Sequence, residues 1–266
     1  MNHLLRKPFP RCLAICYSVR RHTNRHVQNN IGNTAARLRV HEDRYADDVS
    51  TALPVQSVLS DLKKETEGLF HNAGQMVGHV QAKLLHQIVA LQRPRRVLEI
   101  GTFTGSSAIA MASALPAESS LVTLEVSAQH ADVARRYIEK ARMGHQVEVK
   151  VGPAIDSLNA LSQSKAEFDL IFIDANKLEY HQYFDICINN NLLSDHGVML
   201  VDNVLFFGQV HRLAGYESLL EVPKKISKRA KALQEFNQHV LQDPRVEVVM
   251  LPIFDGLSII RKRREN

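Results

Sequence analysis

No run in the 266 residues approaches the roughly 20 consecutive apolar positions that a membrane-spanning helix requires. Cysteine is scarce. Cys12, Cys16 and Cys187 form an odd, widely scattered set that fits neither a zinc spacing nor a disulfide framework, so a reducing compartment is expected. The chain has no G-x-G-x-x-G fingerprint, no Gly-Lys-Ser/Thr loop, no G-x-S-x-G elbow and no H-E-x-x-H helix. Those absences remove dinucleotide, phosphate-loop, serine-hydrolase and zinc-protease chemistry.

Acid is missing from one end. Met1 to His41 contain no Asp or Glu but eight cations: Arg6, Lys7, Arg11, Arg20, Arg21, Arg25, Arg37 and Arg39. Of the 33 Lys and Arg, 25 therefore remain beyond this leader against 28 acids, a net of −3. An acid-free, Arg-rich leader at 1–41 reads as a mitochondrial transit peptide, with a disordered basic tail in a cytoplasmic protein as the alternative. The remaining 42–266 reads as one domain, large enough to bury a full core. Its mild acidity gives phosphates no cluster of cations, so a small-molecule partner is expected rather than nucleic acid or membrane.

What is present alternates. Candidate strands are Val97–Ile100, Leu121–Val126, Val147–Val151, Phe168–Asp174 and Val198–Asp202. Between them lie the helical stretches Ser106–Leu115, Ala128–Met143, Ala154–Ser162 and Glu179–Asn190. Such alternation predicts a doubly wound, Rossmann-like α/β sheet with helices on both faces. Upstream, Leu59 to Leu91 reads as helical with a break near Asn72-Ala-Gly74, its later apolar face made by Val80, Leu84, Leu85, Ile88, Val89 and Leu91. His79 and His86 share one side of that helix and are taken as ordinary face residues, since no third ligand is in register. At the far end, Val246–Ile253 and Leu257–Arg261 flank Phe254-Asp255-Gly256, a hairpin signal. The sheet is therefore expected to have seven strands, mostly parallel, closed by an antiparallel hairpin. Arg261-Lys-Arg-Arg264 reads as a solvated tail.

The stretch Val97-Leu-Glu-Ile-Gly101-Thr-Phe-Thr-Gly105-Ser-Ser107 reads as strand, tight turn and helix start. With Glu99 ahead of a glycine-poor turn, it suits a ligand with a ribose and an amino-acid tail, such as S-adenosylmethionine, better than a pyrophosphate. In open α/β sheets ligands sit beyond the carboxyl ends of the strands. Glu125, ending the second strand, stands where a carboxylate accepts hydrogen bonds from both ribose hydroxyls. Asp174 ends the fourth strand, and Asp202-Asn203 ends the fifth. If those strands are neighbours, two carboxylates and an amide oxygen converge into an oxygen-only site suited to Mg²⁺, Mn²⁺ or Ca²⁺ and poorly suited to zinc. Lys177, three residues past Asp174, is placed to act as a general base on a substrate hydroxyl.

These motifs resemble the cation-dependent O-methyltransferases, the group containing the caffeoyl-CoA and catechol O-methyltransferases. The likeness rests on Glu99-Ile-Gly-Thr-Phe-Thr-Gly-Ser-Ser107, Gly152-Pro-Ala154, Phe168-Asp-Leu-Ile-Phe-Ile-Asp-Ala-Asn-Lys177, Asp202-Asn-Val-Leu205, Asp243-Pro-Arg-Val246 and Leu251-Pro-Ile-Phe-Asp-Gly256. The resemblance implies a class I methyltransferase fold and an S-adenosylmethionine pocket lined by Val77, Glu99, Gly101, Thr102, Ser107, Glu125, Ala154 and Asp174. It also implies a Mg²⁺-type ion on Asp174, Asp202 and Asn203, Lys177 as base, and a homodimer. The chain departs from the group in three places. Asn176 stands where an Asp tends to face the acceptor, Phe206-Phe207 replaces Trp and a small or polar residue, and His196-Gly197 replaces Gly-Gly at what reads as a turn. Asn176 and Phe207 are thus candidate acceptor contacts. The acceptor implied is a small aromatic vicinal diol, with a hydroxylated tRNA base or a non-catalytic adenosylmethionine-binding protein as alternatives.

Overall fold

The computed structural model describes residues 41–216 and 226–263. The leader at 1–40, residues 217–225 and residues 264–266, which include Arg264 of the basic run, lie outside the described residues.

A helical segment at 41–48 precedes α1 (Gln56–Leu69) and α2 (His79–Gln92), which are separated by a 3₁₀ turn at Ala73–Gln75. α1 buries Leu59, Leu62 and Thr66, the three- and four-residue spacing of one helical face. α2 ends at Arg93 in the left-handed conformation, ahead of Pro94, which cannot continue a helix. Its buried face is Gln81, Ala82, Leu85 and Val89. This face is rotated from the expected one: Val80, Leu84 and Ile88 are only half-buried and Leu91 is exposed.

β1 (Arg96–Ile100), α3 (Ser106–Ala112), β2 (Ser120–Glu125), α4 (Ala128–Lys140), β3 (Val147–Val151), α5 (Ala154–Gln163), β4 (Phe168–Ile173), α6 (Tyr180–Asn189) and β5 (Leu193–Asp202) then follow. The chain continues through α7 (Gln209–Leu213) and α8 (Lys228–Gln242) to the hairpin β6 (Val246–Leu251) and β7 (Leu257–Lys262). The strand order is β3-β2-β1-β4-β5-β7-β6, with β1 to β5 parallel and β7 antiparallel to both neighbours. The expected seven-stranded sheet with its closing hairpin is the observed one.

Alternation along β1 shows how the core divides. Leu98 and Ile100 pack into a cluster with Leu158 of α5, Phe184 of α6 and Phe236 of α8. Val97 points the other way, to Leu62, Leu85, Ile109 and Tyr137 of α1 to α4. A parallel sheet covered on both faces needs such continuous apolar strands.

Two further expectations are corrected, and one element is added. β5 begins at Leu193, five residues earlier than expected, and His196-Gly197 lies in a bulge of that strand, between the pairing of Phe168 with Leu193 and that of Leu170 with Val198. A Cβ at Gly197 would lie 2.7 Å from Leu193 Cδ1 and 3.0 Å from the Ser194 carbonyl oxygen. Arg261 and Lys262 belong to β7, where they pair with Glu247 and Asp195, and are not a loose tail. α8, absent from the expected elements although Ser227 and the apolar spacing mark it, is a regular amphipathic helix capped by Ser227 and buried through Ala230, Leu233, Phe236 and Val240. Among the described residues no helix is long and apolar enough to cross a membrane.

Candidate active site

The chain runs outward from β1 to β3 and returns to β4 on the other side of β1. The carboxyl ends of β1 and β4 therefore flank the switch in strand order, where α/β folds bind ligands. Ile100 pairs with Ile173, and Ile173 with Val201. The next residues on the three strands, Gly101, Asp174 and Asp202, consequently sit side by side. Gly101 has φ 103°, and a Cβ there would lie 2.2 Å from the Asp174 carbonyl oxygen. Only glycine lets these two chains approach so closely.

Asp202 is buried. Its Oδ2 accepts a 2.8 Å hydrogen bond from Gln81 Nε2, while Oδ1 is buried with no hydrogen-bond partner. Burial, then the charge of Asp174, pushes its carboxyl up to about 7. Asp174 Oδ1 is held 2.5 Å from Lys177 Nζ. Tyr180, fully buried at the start of α6, donates to the Asp202 carbonyl at 3.1 Å, and burial lifts its hydroxyl well above the usual range. Asn203 follows in the left-handed region at φ 61°. An unpaired buried carboxylate oxygen beside a second carboxylate is costly by itself. These oxygen donors fit a hard divalent cation, and Asp174, Asp202 and Asn203 are the residues that would hold it.

Next to this lies a second group of side chains. Glu99 is fully buried and accepts from Thr123 Oγ1 at 2.5 Å; Thr123 Oγ1 in turn meets Thr102 Oγ1 at 2.5 Å. Burial pushes the Glu99 carboxyl up to about 8, against the opposing pull of the Ser107 and Thr123 hydroxyls. Thr102 is buried, with its amide on the Leu124 carbonyl at 3.1 Å. Glu125 Oε2 accepts from the Phe103 amide at 2.7 Å and Oε1 from the Ser127 amide at 2.9 Å. His130 packs edge-on against both Phe70 and Phe103 beside it. Ala154 opens α5 just past Gly152, whose amide bonds the Glu125 carbonyl at 2.9 Å. Val77 lines a cavity of about 640 Å³ with Met76, Gly78, Gln81 and Ser106. Glu99, Glu125, Asp174 and Lys177 are not on its wall. Gln81 links the two, touching the cavity and Asp202 alike.

The acceptor-side residues are loops. Asn176 is exposed, and its Oδ1 accepts from the Leu178 amide, so its visible role is to shape the turn into α6. The turn after Asn203 is strained: Phe206, Phe207 and Gly208 all have positive φ. Phe206 is buried, Phe207 is 70% exposed, and their rings meet edge to face. The hairpin turn holds this segment. Asp255 Oδ1 accepts from the Phe207 amide at 2.6 Å, and its carbonyl accepts from Leu205 at 2.9 Å. From α8, Asn237 donates to the Val204 carbonyl at 3.0 Å. The sequence analysis assigns no site role to Gln81, Tyr180 or Asn237, and gives Asp255 only a place in the hairpin turn. A glutamine on an apolar helix face was the one local signal, since a buried polar group needs a partner.

The model of the O-methyltransferase family matches residues 48–263. The chain belongs to the O-methyltransferase family. It is 30% identical over 227 residues to the O-methyltransferase ankF of Aspergillus thermomutatus, covering 84% of this chain and 93% of that one. Among solved structures, the SAH-bound methyltransferase PaMTH1 of Podospora anserina superposes with a TM-score of 0.75 at 30% identity, over 87% of this chain and 96% of that one. The O-methyltransferase of Bacillus cereus, in complex with SAH, gives a TM-score of 0.72 at 31% identity over 84% and 97%. This family member is a methyltransferase enzyme with the fold of its solved relatives.

Proposed function

We propose that this O-methyltransferase moves a methyl group from S-adenosylmethionine to a hydroxyl of a small aromatic vicinal diol, with a divalent cation on Asp174, Asp202 and Asn203. The observation that carries the cation is Asp202 Oδ1, buried and without a partner beside Asp174. Support for the donor comes from the solved relatives, which hold SAH, the demethylated form of S-adenosylmethionine.

Glu125 is the residue to receive the ribose hydroxyls, because two backbone amides fix its carboxylate at the end of β2. Gly101 leaves room for close backbone approach at the switch point. Bound at these sites, S-adenosylmethionine would supply an electrophilic methyl and the cation would favour the ionised form of the acceptor hydroxyl. Lys177, at Asp174, is assigned removal of the hydroxyl proton. Phe207, exposed beyond Asn203, offers an aromatic face to a planar acceptor.

The test is Asp174→Ala and Asp202→Ala, assayed for methyl transfer with added Mg²⁺ and for adenosylmethionine binding by calorimetry. Loss of cation-dependent turnover in both variants, with adenosylmethionine binding kept in Asp202→Ala, supports the assignment; normal turnover in either variant refutes it. We further propose mitochondrial import through residues 1–41 and a homodimer. A tagged full-length protein found in the cytosol contradicts the first, and a monomer by light scattering contradicts the second.

A further inference from the structure

Away from the strand ends, α6 and α8 bring two imidazoles and a carboxylate together. His181 and Asp185 are four residues apart on α6 and so share a face. His239, in the last turn of α8, reaches across to them. His239 Nε2 lies 2.7 Å from Asp185 Oδ1, and His181 Nε2 lies 3.4 Å from Asp185 Oδ2. The two rings stack with centroids 3.7 Å apart, and one ligand atom from each of the three residues falls within 4.8 Å of the others. Two donors on one tetrahedral zinc ion stand about 3.3 Å apart, a separation this arrangement already brackets.

We propose that His181, Asp185 and His239 form a binding site for Zn²⁺ or a similar borderline transition ion, separate from the oxygen-only set at Asp174 and Asp202. Two imidazole nitrogens and one carboxylate are a donor set for zinc and not for Mg²⁺. Asp185 and His239 are half-buried while His181 is exposed, so an ion enters from solvent and keeps water in its fourth position. The site is buttressed from inside, where fully buried Phe184 meets the His239 ring edge-on at 5.6 Å. The cation facing Asp185 from outside this trio is Arg245, which pairs closely with Asp243 at 2.6 Å.

An ion here fastens α6 to α8. Both helices lead to the strand-end site: Tyr180, adjacent to His181, bonds the Asp202 carbonyl, and Asn237, two residues before His239, bonds the Val204 carbonyl. The proposed site is therefore a structural clamp behind the turn that follows Asp202. It does not depend on the reaction proposed above.

The experiment is calorimetric titration of Zn²⁺ into the untagged full chain in excess Mg²⁺. Wild type, His181→Ala, His239→Ala and Asp202→Asn are compared, with circular dichroism to confirm folding. The expected result is a Zn²⁺ site kept in Asp202→Asn and weakened at least about 10-fold in each histidine variant, a loss that even outer-shell partners can cause. His181 is exposed, so its variant keeps the fold. Equal affinity in wild type and His181→Ala, Zn²⁺ binding that depends on Asp202 alone, or no binding to wild type would overturn the proposal and leave a histidine–aspartate hydrogen-bond cluster.

Discussion

Gln81 Nε2 donates to Asp202 Oδ2 at 2.8 Å, joining the second helix of the domain to the end of its fifth strand across 121 residues. This bond orients a carboxylate whose other oxygen has no partner. Outer-shell groups that fix a ligand typically contribute 10–100-fold to metal affinity. Gln81→Ala is expected to raise the Mg²⁺ concentration for half-maximal methyl transfer by that factor. An unchanged Mg²⁺ dependence would show that Gln81 is only a core residue.

Gly101 carries the contact between β1 and β4. A methyl group there meets the Asp174 carbonyl oxygen and carbon at 2.2 and 2.7 Å, both backbone atoms, from a φ of 103°. Gly101→Ala should cost at least about 3 kcal/mol in urea unfolding, because neither strand end has room to move. Gly105→Ala meets Ala134 Cβ at 3.1 Å and should cost less. Equal stability of Gly101→Ala and wild type would contradict the packing.

Glu99 makes stability depend on pH in an unusual direction. Burial raises its carboxyl from 4.5 to about 8, so between those values the folded state binds a proton that the unfolded state has released. Its contribution is therefore full below about 4.5 and is lost as pH rises through about 8. Glu99→Gln, a neutral mimic of the protonated acid, should gain on wild type in melting temperature as pH goes from 5 to 8. A constant difference between the two proteins would mean that Glu99 is ionised throughout.

Phe206 and Phe207 are neighbours with different tasks. Phe207 is 70% exposed, so Phe207→Ala should change stability by no more than about 0.5 kcal/mol while raising the KM for an aromatic acceptor. Phe206 is 9% exposed, and its removal should cost about 3 kcal/mol. Acceptor kinetics unmoved by Phe207→Ala would take this residue out of the site.

Strand ends were legible in the sequence because buried parallel strands are short apolar runs, and their last residues face the ligand side. Asp174 and Asp202 could be paired from residue order alone, once β4 and β5 were taken as neighbours. The start of β5 was not legible, because Ser194-Asp195-His196-Gly197 has the composition of a turn and bulges between the pairs at Leu193 and Val198, held there by Ser194 on Asp169 and Asp195 on Lys262. Leu91 carried the right period but falls off the buried face, where Leu85 and Val89 pack and Gln92 instead bonds the Asp169 carbonyl. The Asp-Gly hairpin turn was recognised as a turn, yet its second task, holding the Phe207 amide, depends on a residue 48 positions away. Bonds of that span leave no periodic trace.

The most direct measurement is methyl transfer from labelled S-adenosylmethionine to a panel of catechols, first with Mg²⁺ and then with excess chelator. The assignment of Asp174, Asp202 and Asn203 predicts transfer that stops on chelation and returns when Mg²⁺ is restored. Transfer that continues undiminished in chelator would contradict it.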